Sequence, residues 1–216
     1  MKEAPYMEQR AYWDHVAPTK EFTLPLQSEL LAQWVTPDSS ILDFGCGYGR
    51  TLNQLQQLGY QNLCGIDFSP EMIRRGKTLF PTLDLRVKVT EQIDLPDQSV
   101  DAVLLFAVLT CIHQDKAQSS IVRELYRILK PGGILYINDY LLASDPRNLH
   151  RYEKFQDKYG CYGIFELPEG AICRHHSREY LDRLLSAFHT EHFQPLTFTT
   201  MNGHTASGFA YVGQKQ

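Results

Sequence analysis

Asp43 stands just ahead of three glycines at alternate positions, Gly45, Gly47 and Gly49, and follows the apolar pair Ile41-Leu42. Glycine takes positive-φ conformations at no steric cost, so this spacing makes a tight loop whose bare backbone a ligand can approach. A second apolar run ends at Gly65-Ile66-Asp67. A carboxylate at the tip of the strand after such a loop can accept hydrogen bonds from both hydroxyls of a ribose. The two strands and the loop between them predict a nucleoside-type ligand at the carboxyl ends of a parallel sheet. Asp67 has a plainer reading as a helix cap, although Ser69, directly before Pro70, is the better-placed cap.

Charge narrows the ligand. The dinucleotide fingerprint is Gly-x-Gly-x-x-Gly, with a pyrophosphate on the helix N-terminus. This chain has Gly-x-Gly-x-Gly, and Asp43 would repel a pyrophosphate in a poorly solvated cleft. The same acid would attract an ammonium or a sulfonium, and S-adenosyl-L-methionine carries both together with a ribose. Asp43 could instead be a structural acid that binds loop amides.

The stretch Leu42-Asp43-Phe44-Gly45-Cys46-Gly47-Tyr48-Gly49-Arg50 resembles the first motif of class I S-adenosylmethionine-dependent methyltransferases. Gly65-Ile66-Asp67-Phe68-Ser69-Pro70-Glu71-Met72-Ile73 resembles that family's second-strand motif. Asp94-Leu95-Pro96 with Ser99-Val100-Asp101 resembles the segment before its fourth strand, and Leu129-Lys130-Pro131-Gly132-Gly133 the turn into its fifth. The four motifs stand in family order. The resemblance implies S-adenosyl-L-methionine as cofactor, held by the loop residues Asp43, Gly45, Cys46, Gly47 and Gly49 and by Asp67 and Phe68. It further implies Glu91 as acceptor for the adenine amino group, where aspartate is usual, with the backbone of Gln92 reading the ring. Phe106, Ala107 and Val108 should border the methionine moiety. Arg50 could meet the cofactor carboxylate or stay in solvent.

The acceptor is read mainly by exclusion. Methylation of exocyclic base amines goes with Asn/Asp-Pro-Pro-Tyr/Phe after the fourth strand, where this chain has Phe106-Ala107-Val108-Leu109. Metal-assisted catechol methylation needs carboxylates near the same point to hold magnesium, so no metal is expected. Tyr140, His175 and His176 are the candidate catalytic residues. Tyr12, Trp13, His113 and Arg174 are the candidate substrate-binding residues, with His204 beside the last turn. Arg174 next to two histidines suits an anionic acceptor such as a carboxylate. Plainer readings stand beside these: packing for Tyr12 and Trp13, a solvated loop for His113, and surface or capping positions for the histidine pair. The expected function is metal-independent methyl transfer to a small molecule. A protein or RNA acceptor, and cofactor binding without catalysis, are the alternatives.

Positioning these residues requires an α/β fold: a Rossmann-like, seven-stranded, mostly parallel sheet with a C-terminal antiparallel hairpin and helices on both faces. Strands are predicted over residues 41–44, 63–67, 85–89, 100–106 and 134–140, alternating with helices over 8–16, 26–35, 50–58, 70–80 and 116–129. A polar helix over 146–159 and a helix over 177–188 follow. Two alternating segments, 194–201 and 207–212, flank Asn202-Gly203, a strong hairpin signal. One domain over 1–216 is expected, with residues 1–38 as a helical lid and 143–175 as an insertion over the cleft. A loop-rich stretch of that length inside a domain is usually functional.

Bulk properties agree. A chain of 216 residues suffices for one well-buried domain. A net charge of −4 and the lack of a long basic run argue against nucleic acid as a partner. The longest apolar run, 102–110, is too short to cross a bilayer, and the polar N-terminus is unlike a secretory signal. Cys46, Cys64, Cys111, Cys161 and Cys173 are widely spaced and form no Cys-x-x-Cys pair, which fits reduced thiols in the cytoplasm.

Overall fold

A computed structural model describes residues 9–88, 90 and 92–216. In chain order these form α1 (Arg10–Val16), α2 (Ser28–Leu31), β1 (Ser40–Phe44), α3 (Arg50–Gln57), β2 (Asn62–Asp67), α4 (Pro70–Leu79), β3 (Asp84–Val87) and β4 (Val100–Phe106). They continue with α5 (Asp115–Ile128), β5 (Leu129–Tyr140), α6 (Pro146–Tyr159), β6 (Ile164–Glu166), β7 (Ile172–Arg174), α7 (Arg178–Leu184), β8 (Phe188–Thr199) and β9 (Thr205–Lys215). The main sheet runs β3-β2-β1-β4-β5-β9-β8. Its first five strands are parallel, β9 runs antiparallel between β5 and β8, and β8 takes the direction of the first five again. Strand order reverses between β1 and β4, and open α/β sheets bind ligands outside the carboxyl ends at such a point.

Side-chain alternation along the strands sorts the apolar residues into two cores. Leu42, Val103, Leu105, Leu135, Ile137 and Phe209 point to one face, where α5 and α7 cover them with Ile121, Leu125 and Leu181. Ile41, Ala102, Leu104, Ile134, Tyr136 and Val212 point to the other, covered by Leu31 of α2, Leu52 and Leu55 of α3 and Ile73 of α4. Helix ends follow local chemistry. Ser69 caps α4 by accepting from the Met72 amide (3.1 Å), with Pro70 in the first turn. Asp145 caps α6 through the Asn148 amide (3.2 Å), and Gly160 ends that helix at φ 61°.

Several elements differ from the sequence expectation. The helix expected over 26–35 is regular only over Ser28–Leu31, and turns carry the chain onward so that Leu31 and Val35 both stay buried. β5 starts at Leu129, because Leu129 already pairs with Val100 before the register shifts. β8 and β9 are longer than the alternation suggested, and a bulge between Thr190 and His192 breaks the period in β8. The hairpin β6–β7 falls in the stretch expected to be loop-rich, since three-residue strands are too short for periodicity to show.

Gly76 fixes the seat of the glycine loop. It is buried inside α4, and a Cβ there would lie 2.7 Å from the Tyr48 carbonyl oxygen and 2.5 Å from Leu85. Gly→Ala inside a helix normally stabilises by about 1 kcal/mol. Here Gly76→Ala is expected to lower the thermal midpoint, because the obstacle is backbone and cannot rotate away. A midpoint at or above wild type by calorimetry would refute this.

Candidate active site

The glycine loop is tied to β2 by its own amides. Gly45 and Cys46 both donate to the Ile66 carbonyl (2.8 and 3.1 Å). Gly47 donates to Asp67 Oδ2 (2.9 Å) and Ser69 donates to Asp67 Oδ1 (2.8 Å). Asp67 thus braces the loop and the start of α4 while still lining the cleft. Burial raises its pKa to about 6, against the pull of those amides. The loop glycines have φ 76° at Gly45 and 54° at Gly47. A Cβ on Gly45 would meet Val108 at 2.5 Å, and one on Gly47 would overlap the Phe22 ring.

Asp43 lines the same floor, buried, and accepts no hydrogen bond from the described residues. Burial raises its pKa to about 7; Arg50 opposes this and Asp67 adds to it. Arg50 also lines the cleft but spends its guanidinium on the Leu24 carbonyl and on Gln54. Cys46, Phe68 and Phe106 line the cleft, with Phe106 edge-on to Tyr136 at 4.9 Å. Gly49 does not line it: it starts α3 at φ 82°, against Leu85 and Leu83. Gln92 is also outside the lining, and its carbonyl accepts from Lys88 Nζ (3.2 Å). Glu91 lies outside the described residues. Lys88, which the sequence reading passed over, is buried and lines the cleft.

Two segments roof the cleft. From the N-terminal side come Tyr12, Trp13 and Phe22, which meet edge to face at 5.2 and 6.2 Å. Burial, chiefly, pushes the Tyr12 hydroxyl pKa upward. Gln9 clasps the roof: its amide donates to the carbonyls of Cys111 (2.7 Å) and Ile172 (2.9 Å) and accepts from the Ile172 amide (2.6 Å). From residues 143–175 come α6 and the β6–β7 hairpin, which present Arg147, Arg151, Phe165 and Cys173 to the cleft. His204 and Asn202, at the turn between β8 and β9, close the rim.

The extended chain through β7 separates its polar residues by parity. His175 faces the cleft, whereas Arg174 and His176 point away and do not line it. This corrects two sequence expectations. Arg174 is buried, pairs with Asp115, donates to the His113 carbonyl (2.9 Å) and lies 4.2 Å over the Tyr180 ring. His176 is buried between Gln118 Nε2 (2.9 Å) and the Tyr140 carbonyl (3.4 Å), stacked on Tyr180. His113 likewise lies outside the lining, edge-on to Tyr159 at 5.4 Å.

Tyr140 and His175 do meet in the cleft, with rings stacked 5.2 Å apart and nearly parallel. The Ala143 amide donates to the Tyr152 hydroxyl (3.3 Å), which sits 2.6 Å from His175 Nδ1. The hydroxyl and Nδ1 share one proton in this contact, with the imidazole tautomer setting which of them donates. Burial, then the charges of Arg151 and Arg147, push His175 down to about 3, so the ring is neutral. Burial raises Tyr140, so its hydroxyl keeps its proton. Behind them Asp139, fully buried, accepts from the Tyr140 amide (2.7 Å) and the Thr110 amide (3.3 Å). The nearby amides of Leu109 and Val108 also favour its ionised form, while burial, the larger effect, raises its pKa to about 7. Asp139 so pins the segment after β4, where Ala107 has the strained φ of 53° at the cleft wall. Among the described residues, no group of three or more His, Cys, Asp or Glu side chains is placed to hold a metal ion.

A family model described as a methyltransferase domain matches residues 42–137. Among solved structures, a SAM-dependent methyltransferase from Methanosarcina mazei is 27% identical with a TM-score of 0.84, covering 89% of this chain and 99% of its own. O-methyltransferase 3 of Dictyostelium discoideum is 35% identical over 132 residues, which is 52% of this chain and 30% of that protein. The 2-methyl-6-phytyl-1,4-hydroquinone methyltransferase of Synechocystis sp. is 34% identical over 124 residues, 53% of this chain and 38% of that protein. The chain spans well under half the length of these two curated relatives.

Proposed function

The chain belongs to the class I S-adenosylmethionine-dependent methyltransferase family, and from that premise we propose that it is an enzyme that methylates a small molecule in its roofed cleft. One observation carries the reading: a single cleft runs from Asp43 and Asp67 to Tyr140 and His175, beneath the Gln9 clasp and the β6–β7 hairpin. Such an enclosure suits a small acceptor better than a polypeptide or a duplex. The relative named for a hydroquinone supports the same class of acceptor. Five free cysteines support a reducing, cytoplasmic setting. No helix among the described residues is long and apolar enough to cross a membrane.

The residues present fit the cofactor. A buried carboxylate without a hydrogen-bond partner, Asp43, stands where a cationic group belongs, and the bare Gly45-Cys46-Gly47 backbone leaves room for it. Asp67 offers its remaining lone pairs to a ribose. When bound, S-adenosylmethionine supplies a methyl group on a sulfonium whose charge disappears as the acceptor attacks in line. Phe22, Val108, Ile112 and Phe165 keep water from the cleft, which favours loss of that charge. Tyr140 keeps its proton and buried His175 is a weak base, so their part is to orient the acceptor rather than to remove its proton.

The first test is a thermal unfolding series with S-adenosylmethionine, S-adenosylhomocysteine and NAD. A ligand at about 100 times its dissociation constant adds roughly 2.7 kcal/mol, a rise of about 5–10 °C for a domain of this size. A rise with the adenosyl ligands alone supports the reading, and a rise with NAD alone would sink it.

Asp43 adds a pH dependence. Its folded pKa, about 7, is raised above the ordinary 3.8. The ligand-free protein therefore holds a proton that the unfolded chain has released, and stability from this group is lost as pH rises through about 7. Cofactor binding follows the opposite course, because the cation needs the ionised acid. Affinity for S-adenosylmethionine should rise steeply between pH 5.5 and 7 and then level off. In Asp43→Asn that rise should flatten, as measured by calorimetric titration; an unchanged profile would remove Asp43 from the cofactor site.

A further inference from the structure

The sequence placed an anion-binding arginine at position 174, and the fold turns that residue away from the cleft. Two other arginines take its place. Arg147 and Arg151 lie one helical turn apart on α6, and both line the cleft beside His175. Arg151 has no ion-pair partner among the described residues; its guanidinium lies over the Phe165 ring at 5.1 Å. Arg147 is 3.9 Å from Asp145, whose carboxylate is already engaged by the Asn148 amide and side chain (3.2 and 2.6 Å). Two arginines against one aspartate leave one positive charge in excess at this end of the cleft. Burial, and after it the nearby charge of Arg147, holds the Arg151 guanidinium below its usual pKa. An anion between the two guanidinium groups would relieve their repulsion.

Asn148 lies between the two arginines in sequence, is fully buried and lines the cleft, and its Oδ1 has no hydrogen-bond partner. Its amide orientation is fixed, because only the NH2 group can face the Asp145 carboxylate. Thr110, also buried at the cleft wall, has an unpartnered hydroxyl. An orphaned acceptor of this kind calls for a donor on the ligand.

We propose that the methyl acceptor is a small carboxylic acid that also carries a hydroxyl or amino group, with its carboxylate held by Arg147 and Arg151 and its donor group by Asn148. The assignment rests on the methyltransferase reading above. A guanidinium fork matches a carboxylate geometrically, and a single excess charge matches a monoanion better than a phosphate.

The test uses the full chain loaded with S-adenosylhomocysteine. Small hydroxy acids, amino acids and hydroxybenzoates, their methyl esters, and inorganic phosphate are titrated by calorimetry, and the same compounds are offered with S-adenosylmethionine in a turnover assay. At least one acid should bind about tenfold or more tighter than its ester and be methylated. Arg151→Met and Arg147→Met should each lose about tenfold in affinity for that acid while keeping S-adenosylhomocysteine affinity within about twofold, and Arg151→Lys should recover part of the loss. Esters used as well as their acids, phosphate binding more tightly, no response to any acid, or an unchanged acid affinity in Arg151→Met would each overturn the assignment. Failure of S-adenosylhomocysteine to bind the wild type would instead strike the methyltransferase reading itself.

Discussion

Asp67→Ala is expected to weaken S-adenosylhomocysteine binding by about 100-fold, equivalent to roughly 2.7 kcal/mol. The size follows from the two tasks of one carboxylate. Its oxygens hold the amides of Gly47 and Ser69, at 2.9 and 2.8 Å, and so set the curvature of the glycine loop and the start of α4. Its remaining lone pairs face the cleft, where the proposed ribose would take them. Hydrogen bonds to a charged group are each worth about 1.5–3 kcal/mol, so losing ligand contacts and loop geometry together reaches the stated figure. Calorimetric titration of the folded variant, checked by circular dichroism, reads the effect. An affinity within about threefold of wild type would show that Asp67 only braces the loop and the start of α4.

Asp139→Ala should have the largest effect on stability. The wild-type carboxylate is fully buried and takes the amides of Tyr140 and Thr110, with those of Val108 and Leu109 converging on it. Alanine would leave these donors without an acceptor, away from water. An unsatisfied buried polar group costs about 1–3 kcal/mol, so a loss near 3 kcal/mol is expected, or roughly 6–12 °C in the thermal midpoint. The damage should be local in function. Thr110 and Tyr140 belong to the acceptor end, whereas the loop bonds to Ile66 and Asp67 are untouched. Methyl transfer should therefore fall further than S-adenosylhomocysteine affinity. A midpoint within about 2 °C of wild type would contradict this account.

The floor of the candidate site was legible because its signals are local. Asp43, the alternate glycines and Asp67 sit in one strand–loop–helix–strand run, and the alternation in β1, β4 and β5 gave the parallel core directly. The acceptor end was not legible in the same way. α6 reads as a polar helix whose sequence does not say which of its charged residues face inward, and the fold turns Arg147 and Arg151 to the cleft. Arg174, His175 and His176 look like one cluster in sequence, but strand parity sends the middle residue to the cleft and its neighbours to the α5 and α7 side. Asp139 was visible only as the residue before Tyr140, because its partners lie in the segment after β4. Gln9 carried no signal, since its three bonds reach Cys111 and Ile172.

The two outer strands of the main sheet have a consequence for how copies of this chain meet. An open sheet edge offers unpaired amides and carbonyls that can template a strand from another molecule, and continued pairing yields aggregates. β3, on one edge, is only four residues long and carries the Asp84–Arg86 pair on its exposed surface. β8, on the other, is interrupted by the bulge at Thr190–His192 and carries Pro195, which has no amide hydrogen to donate. Both ends of the sheet thus resist strand addition while the fold is intact.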